Sequence, residues 1–382
     1  MAVIYKLQID VKPLQNRTWL PDINELGSDQ LKVLQHPSDR DLIVMGSAGT
    51  GKTILSKFLF DALLRQRKNG RMVIFGNIFR SFISKYAYEN SEKIVGSFEL
   101  PKNLANIKVS GSFAQAVDKA ATWSESNRNI YDFLIIDEVQ DLHEGHLIFC
   151  SNISKRLYLF GDTAQQYYDH GKKIEEINSI LRKAGRQLRG QDMIEITKNY
   201  RNQPSISKAV QPFYFFRPSH FSPAEQVGIL EVPEIYIYTK NNYLRFFENI
   251  KNKIASIINS QQYYTPTIGI LVQSEKTLNF IKRELKSRAN LEIVTTAPEN
   301  AFEDARPIFM TMQSSKGMEF DYVIILDLNY KALKTTHNQN YDNIIFVAKT
   351  RARRSFSVFI FANQNEYLGK IDKTAYKIIE EN

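Results

Sequence analysis

Residues 46–53 have the sequence GSAGTGKT, which fits the pattern G-x-x-x-x-G-K-T/S. Glycines let the backbone pass close to a phosphate, and the amide groups of a helix amino terminus then face that phosphate. Lysine adds positive charge, and the last hydroxyl can bind Mg²⁺. We therefore predict a site for nucleotide phosphates made of Gly46, Ser47, Ala48, Gly49, Thr50, Gly51, Lys52 and Thr53.

Two acidic residues, Asp137 and Glu138, directly follow the apolar run at 133–136. Downstream of a phosphate loop, a strand that ends in this way predicts a carboxylate for Mg²⁺ and a second one for catalysis. We assign the metal to Asp137 together with Thr53, and the activation of an attacking water to Glu138. This chemistry is hydrolysis, not transfer of phosphate to a protein hydroxyl.

The elements that position these residues are short apolar runs, separated by segments of helical periodicity. The runs lie at 42–45, 72–75, 107–109, 133–136, 157–160, 235–238, 268–272, 291–294, 322–326 and 356–361. Strands buried on both faces are typical of parallel sheets, so the pattern predicts an α/β fold. Residues 203–233 carry five of the twelve prolines. We therefore predict two domains, 1–203 with a small insert around 82–106, and 204–382.

The 382 residues carry 50 Lys plus Arg against 41 Asp plus Glu, a net charge of +9, with 43% hydrophobic residues and one Cys. This composition excludes a disordered chain. No apolar run is long enough to span a membrane, and we expect no membrane partner. A single cysteine fits a reducing compartment, so we expect a cytoplasmic location. The basic balance suits a polyanionic partner.

The sequence DEVQD at 137–141 resembles the D-E-x-Q-D box of superfamily 1 helicases of the UvrD/Rep type. Further motifs of that family follow in its order. They are LGSDQ at 26–30, FGN at 75–77, VSGSF at 109–113, GDTAQ at 161–165 with Tyr168, NYR at 199–201, TMQSSKGMEF at 311–320 and FVAKTRAR at 346–353.

This resemblance implies two RecA-like P-loop NTPase domains, each with a parallel sheet flanked by helices, and ATP with Mg²⁺ in the cleft between them. It implies that Gln30 binds adenine, that Tyr200 stacks on it, and that Arg201 and Arg351 reach the γ-phosphate. The implied catalytic residues are Glu138, Lys52, Gln165, Arg201 and Arg351. Gly317 and Glu319 complete the expected ATP site. The expected nucleic-acid contacts are Phe75, Asn77, Ser112, Phe113, Tyr168, Gln313 and Ser314.

The implied activity is ATP-driven translocation or unwinding on single-stranded or partly duplex DNA, in the 3′-to-5′ direction, with RNA as an open alternative. Gln313 stands where the family has His, and Lys349 where it has Leu. Only 60 residues separate Asn77 from Asp137, and 110 separate Arg201 from Thr311. These gaps predict a compact core without large accessory domains. They leave open a second hypothesis, an ATP- and DNA-gated regulatory partner of another enzyme such as a nuclease.

Two weaker signals remain. His143, His146 and Cys150 would share one face of a helix, which could start a zinc site, although packing is the simpler interpretation. The basic residues Arg182, Lys183, Arg186 and Arg189 could contact phosphates or could form a solvated helix face.

Overall fold

The computed structural model describes residues 4–8, 21–75, 80, 83, 89–107, 112–162, 172–213, 231–239, 242–260, 266–296, 306–329, 331–333 and 341–381. The chain forms two compact units. One is Thr18–Lys198, and the other combines Met1–Arg17 with Asn199–Asn382. Within the described residues, no helix is both long enough and apolar enough to cross a membrane.

The strands of both units are numbered in chain order. They are β1 (Ile4–Gln8), β2 (Leu42–Gly46), β3 (Gly70–Ile74), β4 (Ile94–Gly96), β5 (Tyr131–Ile136), β6 (Ser154–Gly161), β7 (Met193–Ile196), β8 (Glu234–Tyr238), β9 (Ile268–Val272), β10 (Glu292–Thr296), β11 (Ile308–Thr311), β12 (Phe320–Leu326), β13 (Ala352–Phe361) and β14 (Lys377–Glu381).

The helices are numbered in the same way. They are α1 (Ser28–Leu34), α2 (Lys52–Arg65), α3 (Glu99–Ala105), α4 (Phe113–Glu125), α5 (Glu144–Ile153), α6 (Ile174–Lys183), α7 (Pro204–Val210), α8 (Tyr243–Asn259), α9 (Glu275–Ala289), α10 (Tyr341–Thr350) and α11 (Asn365–Lys370).

The sheet of the unit Thr18–Lys198 has the order β4-β3-β5-β6-β2-β7, and every pair in it is parallel. Its central strands are apolar and almost fully buried, as expected when helices cover both faces of a sheet. Because parallel strands end at one edge, the residues after β2, β5 and β6 come to the same side of the sheet. That edge carries the phosphate loop, Asp137 and Asp162.

The second unit contains an eight-stranded sheet of order β10-β1-β11-β9-β12-β13-β8-β14. Strand β1 pairs antiparallel with both β10 and β11, and the remaining pairs are parallel. Helices α8 and α9 bury their apolar stripes against this sheet. The parallel sheets flanked by helices confirm the predicted α/β fold class.

Two details of the predicted domains need correction. Strand β1 belongs to the sheet of the second unit, and residues 199–203 also join that unit, although the sequence assigned residues 1–203 to the first domain. Its sequence, IYKLQ, alternates and has no apolar run, so it gave no signal for a buried strand. Part of the predicted insert around 82–106 joins the first sheet, because β4 extends it by pairing with β3. Residues 108 and 109 of the predicted strand at 107–109 lie outside the described residues.

Candidate nucleotide site and comparison with known proteins

The phosphate loop connects β2 to α2 and needs glycine at three of its positions. Gly49 and Gly51 have φ of 82° and 86°, a region that favours glycine. A Cβ atom on Gly46 would lie 2.6 Å from Cγ1 of Ile196 and 2.7 Å from Oγ1 of Thr50. Gly46 is therefore required by its close packing against Ile196 and Thr50, and Gly49 and Gly51 by the backbone conformation of the loop.

Lys52 starts α2 and turns back over the loop. Its Nζ donates hydrogen bonds to the carbonyl oxygens of Gly46, at 2.7 Å, and of Ser47, at 2.9 Å. Thr50 Oγ1 also donates to the carbonyl of Ser47, at 2.9 Å. Within the described residues, the buried Ser47 Oγ has no hydrogen-bond partner. A buried hydroxyl without a partner, beside a lysine in a glycine-rich loop, fits a phosphate group.

Thr53 and Asp137 meet at the carboxyl ends of β2 and β5. Thr53 Oγ1 donates to Asp137 Oδ2 at 2.7 Å, and Asp137 is only 1% exposed. Burial, reinforced by the negative charge of Glu138, raises the pKa of Asp137 to about 7, against the opposing effects of Thr53 and Lys52. A hydroxyl and a carboxylate are oxygen ligands that suit Mg²⁺, and a cation there would relieve the cost of the buried charge.

Glu138 is held in a left-handed conformation with φ of 57°, which is unusual for a residue with a side chain. Gln140 Nε2 donates to Glu138 Oε2 at 2.5 Å. The other end of the same amide accepts from the backbone N–H of Asp162, at 3.0 Å. Gln140 therefore links the carboxylate after β5 to the end of β6. The sequence showed Gln140 inside the DEVQD motif but did not assign it to the site.

Gln30 is joined to the phosphate loop by its amide. Its Oε1 accepts from the backbone N–H of Gly27 at 2.9 Å, and its Nε2 donates to the carbonyl of Thr50 at 2.9 Å. Only 4% of Gln30 is exposed. The structure therefore places this residue against the loop, while adenine recognition by Gln30 stays a prediction.

In the second unit, Arg201 and Arg351 lie near one carboxylate, that of Glu319. Arg201 Nε donates to Glu319 Oε1 at 2.7 Å, and a terminal guanidinium nitrogen of Arg201 contacts the same oxygen. Burial acts to raise the pKa of Glu319, but Arg201, Arg353 and Arg351 outweigh it and hold that pKa below its ordinary value. Arg351 is 2% exposed, and its Nε donates to the carbonyl of Val347 at 2.9 Å.

The segment that carries Arg201 is fixed by two asparagines. Asn199 Oδ1 accepts from the backbone N–H groups of Arg201, at 2.9 Å, and of Asn202, at 3.1 Å. Asn202 Nδ2 donates to the carbonyls of Thr350, at 3.0 Å, and Ala352, at 2.6 Å. These bonds tie the NYR motif to the end of α10, beside Arg351. Sequence reasoning missed Asn202, because its partners lie about 150 residues away.

The other predicted ATP-binding residues of this unit flank the same cluster. Gly317 has φ of 80°, so a glycine is favoured there, and the turn it forms leads to Glu319. Tyr200 lies between Asn199 and Arg201 and is partly exposed. The structure thus brings together the second-unit residues that the sequence assigned to ATP, and their contact with nucleotide stays a prediction.

The predicted nucleic-acid residues have different surroundings. Gln313 and Ser314 are exposed at the end of β11. Ser112 caps α4, where its Oγ accepts from the N–H of Gln115 at 3.3 Å. Phe113 packs beside the rings of Phe98, His143 and His146, with centroid distances of 5.3, 5.6 and 5.4 Å. These ring contacts give Phe113 a packing role that does not depend on a nucleic-acid base.

Phe75 follows β3 and packs, partly buried, on the core of its unit. Three predicted residues, Asn77, Gln165 and Tyr168, lie outside the described residues. No contact with a nucleic acid is tested for any residue of this set, so these assignments remain predictions.

The zinc hypothesis receives no support. Burial raises the pKa of the Cys150 thiol to about 12, so the thiol is protonated in the absence of a metal ion. In the part of the chain that the structure describes, no group of three or more His, Cys, Asp or Glu residues could hold a metal ion.

Comparisons with known proteins first define the class. Residues 42–206, which include the phosphate loop and Asp137, match the family model of zonular occludens toxin (Zot), a domain of the P-loop NTPase type. The similarity to that domain lies mostly in the unit Thr18–Lys198. The fold of this unit is therefore of the P-loop NTPase type.

The second match is more specific. Residues 308–358, which contain Gln313, Gly317, Glu319 and Arg351, match the family model of the UvrD-like helicase C-terminal domain. This match confirms the predicted resemblance to helicases of the UvrD type. Together the two matches support nucleotide binding and a nucleotide-dependent, helicase-like function.

None of the curated proteins is similar enough to count as a match. Among solved structures, 383 chains match. One is the crystal structure of the C-terminal domain of a possible DNA helicase from Lactobacillus plantarum WCFS1. It has 14% identity and a TM-score of 0.34, and the alignment covers 47% of this chain and 97% of that one.

Proposed function

We propose that this protein hydrolyses ATP to move along single-stranded DNA. The observation that carries the proposal is the connected series Thr53–Asp137–Glu138–Gln140 beside Lys52, in which each side chain is held by a hydrogen bond. Phosphate binding alone needs no buried pair of acids. A carboxylate oriented by Gln140, next to a metal carboxylate, is what the activation of water requires.

In this mechanism each residue of the first unit has one task. The glycine-lined backbone and Lys52 bind the phosphates, and Thr53 with Asp137 would hold Mg²⁺, which neutralises charge on the phosphates when bound. Glu138 accepts a proton from the attacking water, and Gln140 keeps its carboxylate oriented. The buried position of Asp137 and Glu138 excludes bulk water and strengthens these electrostatic effects.

The second unit would supply positive charge to the γ-phosphate. We propose this task for Arg201 and Arg351, and adenine contacts for Tyr200 and Gln30. Glu319 would keep Arg201 in place until the phosphate replaces it as a partner. Gln165, which lies outside the described residues, keeps its predicted task of coupling the γ-phosphate to DNA.

The proposed path of the nucleic acid uses residues at the carboxyl ends of strands. Gln313 and Ser314 are exposed and present polar groups that suit a sugar-phosphate backbone. The net charge of +9 agrees with a polyanionic partner. Resemblance to the UvrD/Rep type favours DNA and 3′-to-5′ movement.

An ATPase assay over single-stranded DNA, duplex DNA and RNA tests this function. We expect that single-stranded DNA stimulates turnover the most, and that Lys52→Ala abolishes the stimulated turnover because the phosphates lose their cation. A matched control is Lys119→Ala, which removes an exposed lysine from α4. Equal turnover with and without any nucleic acid would contradict the proposal.

A regulatory role is the second candidate, and the short gaps of 60 and 110 residues favour it because they leave little chain for a strand-separating domain. Displacement of streptavidin from biotinylated single strands separates the two candidates. Directional displacement supports translocation. Nucleic-acid-stimulated ATPase activity without displacement supports an ATP- and DNA-gated partner of another enzyme, such as a nuclease.

A further inference from the structure

A cavity with a volume of about 390 Å³ lies in the unit Thr18–Lys198. We call it the arginine cavity, after its six basic lining residues: Arg40, Arg128, Lys155, Arg156, Arg186 and Arg189. Volumes of this size are typical of sites for small ligands.

The arginine cavity is separate from the phosphate loop. Asp41 lines it and directly precedes β2, whereas the phosphate loop begins at Gly46, where β2 ends. Ser154, the first residue of β6, and Asp192, just before β7, also line it. A strand of this length spans roughly 16 Å. The cavity therefore lies at the opposite edge of the sheet from the proposed ATP site.

The floor of the cavity is rigid and electrically balanced. Arg186 donates from one terminal nitrogen to both carboxylate oxygens of Asp41, at 2.8 and 2.9 Å. Its Nε donates to Ser151 Oγ at 2.6 Å, and its other terminal nitrogen donates to the carbonyls of Ser151 and Ser154. All of these donors of Arg186 are thus bonded to Asp41, to the carboxyl end of α5 or to the start of β6. Arg186 is therefore not available to a ligand.

The rim has uncompensated positive charge. The guanidinium of Arg189 makes no hydrogen bond or ion pair with any described residue, and Arg189 is exposed. Arg128 uses Nε on the carbonyl of Glu125, at 3.3 Å, and Arg156 uses one terminal nitrogen on the carbonyl of Lys155, at 2.8 Å. Arg128 and Arg156 are also exposed.

The acidic residues of the cavity cannot neutralise this rim. Asp41 is occupied by Arg186, and Asp192 by Arg40, at 3.5 Å, and by the backbone N–H of Arg189, at 2.9 Å. Only Asp39 remains. The one apolar side chain in the lining is Ala184. A ligand of this cavity must therefore be polar and anionic.

The carboxyl ends of α4 and α5 lie at this edge, and arginines near helix ends often serve only to bind the last carbonyls. Arg186 and one donor of Arg128 fulfil that role here. Arg189, whose guanidinium has no such partner, does not. The rim therefore has more donors than the helix ends require.

We propose that the arginine cavity binds phosphate groups, through the exposed guanidinium groups of Arg128, Arg156 and Arg189. Guanidinium groups bind phosphate oxygens in pairs, with planar geometry and permanent charge. The phosphates belong either to a free oligophosphate or to a nucleic-acid backbone. This site is distinct in position from the phosphate loop.

The test compares two double variants of equal charge, Arg128→Ala with Arg189→Ala at the rim, and Lys102→Ala with Lys119→Ala on exposed helix surfaces outside the cavity. Both are made in a Lys52→Ala chain, so that phosphate binding at the loop is weakened in every sample. Titration calorimetry measures the affinity for inorganic tripolyphosphate. We expect the rim variant to bind at least about tenfold more weakly, because it loses charge-assisted hydrogen bonds, and the control to change by less than about twofold.

A second titration uses a single-stranded oligothymidylate and identifies the source of the phosphates. If the rim variant also weakens this binding, the cavity contacts a nucleic-acid backbone. If only tripolyphosphate binding weakens, the ligand is a free anion. Equal affinities of the rim variant and the control for both ligands would overturn the proposal.

Discussion

Asp137 in one unit is buried and Glu319 in the other is largely buried, yet the pKa values of these two acidic side chains shift in opposite directions. The pKa of Asp137 rises to about 7, because burial and the neighbouring Glu138 disfavour its charged form. The pKa of Glu319 falls, because Arg201, Arg353 and Arg351 outweigh the effect of burial. Burial acts to raise the pKa at both residues, so the sign of the neighbouring charges decides the direction of the net shift.

This difference separates two kinds of site. The pair Asp137 and Glu138 has excess negative charge and becomes balanced when a cation joins it. The cluster around Glu319 is balanced already by its arginines, so a phosphate that reaches Arg201 must compete with Glu319. In the proposed mechanism, the first site would take up a cation and the second would exchange one anionic partner for another. Four variants test this comparison.

The largest effect is expected for Glu138→Gln. If this carboxylate accepts the proton of the attacking water, its loss should reduce ATP turnover by about 10²- to 10³-fold while ATP binding is retained. Turnover by a coupled assay and binding of a fluorescent ATP analogue measure the two quantities. Glu175→Gln, on the exposed surface of α6, removes the same charge and should leave both unchanged. Turnover of Glu138→Gln at the wild-type rate would refute the assignment.

Glu319→Gln should mainly reduce stability. It leaves the positive charges of Arg201 and Arg351 without their carboxylate, and loss of one partner of a largely buried pair costs about 3 kcal/mol of unfolding free energy. Urea unfolding followed by circular dichroism measures this change. The exposed Glu366→Gln on α11 is the control. Equal stability of the two variants would mean that the arginines do not depend on Glu319.

Asp137→Asn should instead increase the unfolding free energy relative to the wild type, and this increase should depend on pH. A carboxyl group with a raised pKa in the folded state stabilises below its unfolded pKa of about 4 and loses that contribution as pH rises through about 7. Without Mg²⁺, the variant should therefore gain on the wild type between pH 5 and pH 8, on the order of 2 kcal/mol. Urea unfolding at both pH values measures the gain. A constant difference would show that Asp137 has an ordinary pKa.

The smallest effect is expected for Lys349→Leu. Lys349 is fully buried, and burial holds its pKa well below the ordinary value, although Asp342 acts against this. Its Nζ has no carboxylate in direct contact among the described residues. It donates to Tyr376 Oη at 2.9 Å and lies 3.9 Å from the ring centroid of Phe213.

Tyr376 keeps its own hydrogen bond to the carbonyl of Ala209, so Lys349→Leu leaves no buried donor without a partner. Replacing a buried charge by an apolar side chain of similar volume is often neutral. We expect the unfolding free energy to change by less than about 1 kcal/mol. A loss as large as that of Glu319→Gln would show that the aromatic surroundings stabilise the ammonium as well as arginines stabilise Glu319.

The sequence was sufficient where chemistry is local. The phosphate loop is one continuous segment, and Asp137 and Glu138 end one apolar strand, so residue types and spacing predict them directly. The hydrogen bond from the Asp162 N–H to Gln140 joins residues that follow two different strands, β6 and β5. The pair of Arg201 and Glu319 joins residues 118 positions apart. Such contacts depend on strand order, which residue spacing does not contain.

The predicted fold class was right because buried parallel strands have apolar sequences. Strand β7, with the sequence MIEI, was missed because two of its four side chains are exposed. Strand β1 was missed because Lys6 interrupts it, although the structure buries Lys6 to 1% exposure.

The place of β1 also affects how the protein is made. A ribosome synthesises β1 roughly 290 residues before its partners β10 and β11. At about 5–20 residues per second, this strand waits about 15–60 s for its neighbours. Until β10 and β11 are made, the backbone groups of β1 are open to other extended segments. The time between translation of the first strand and closure of this sheet is thus when the nascent chain most needs protection by chaperones.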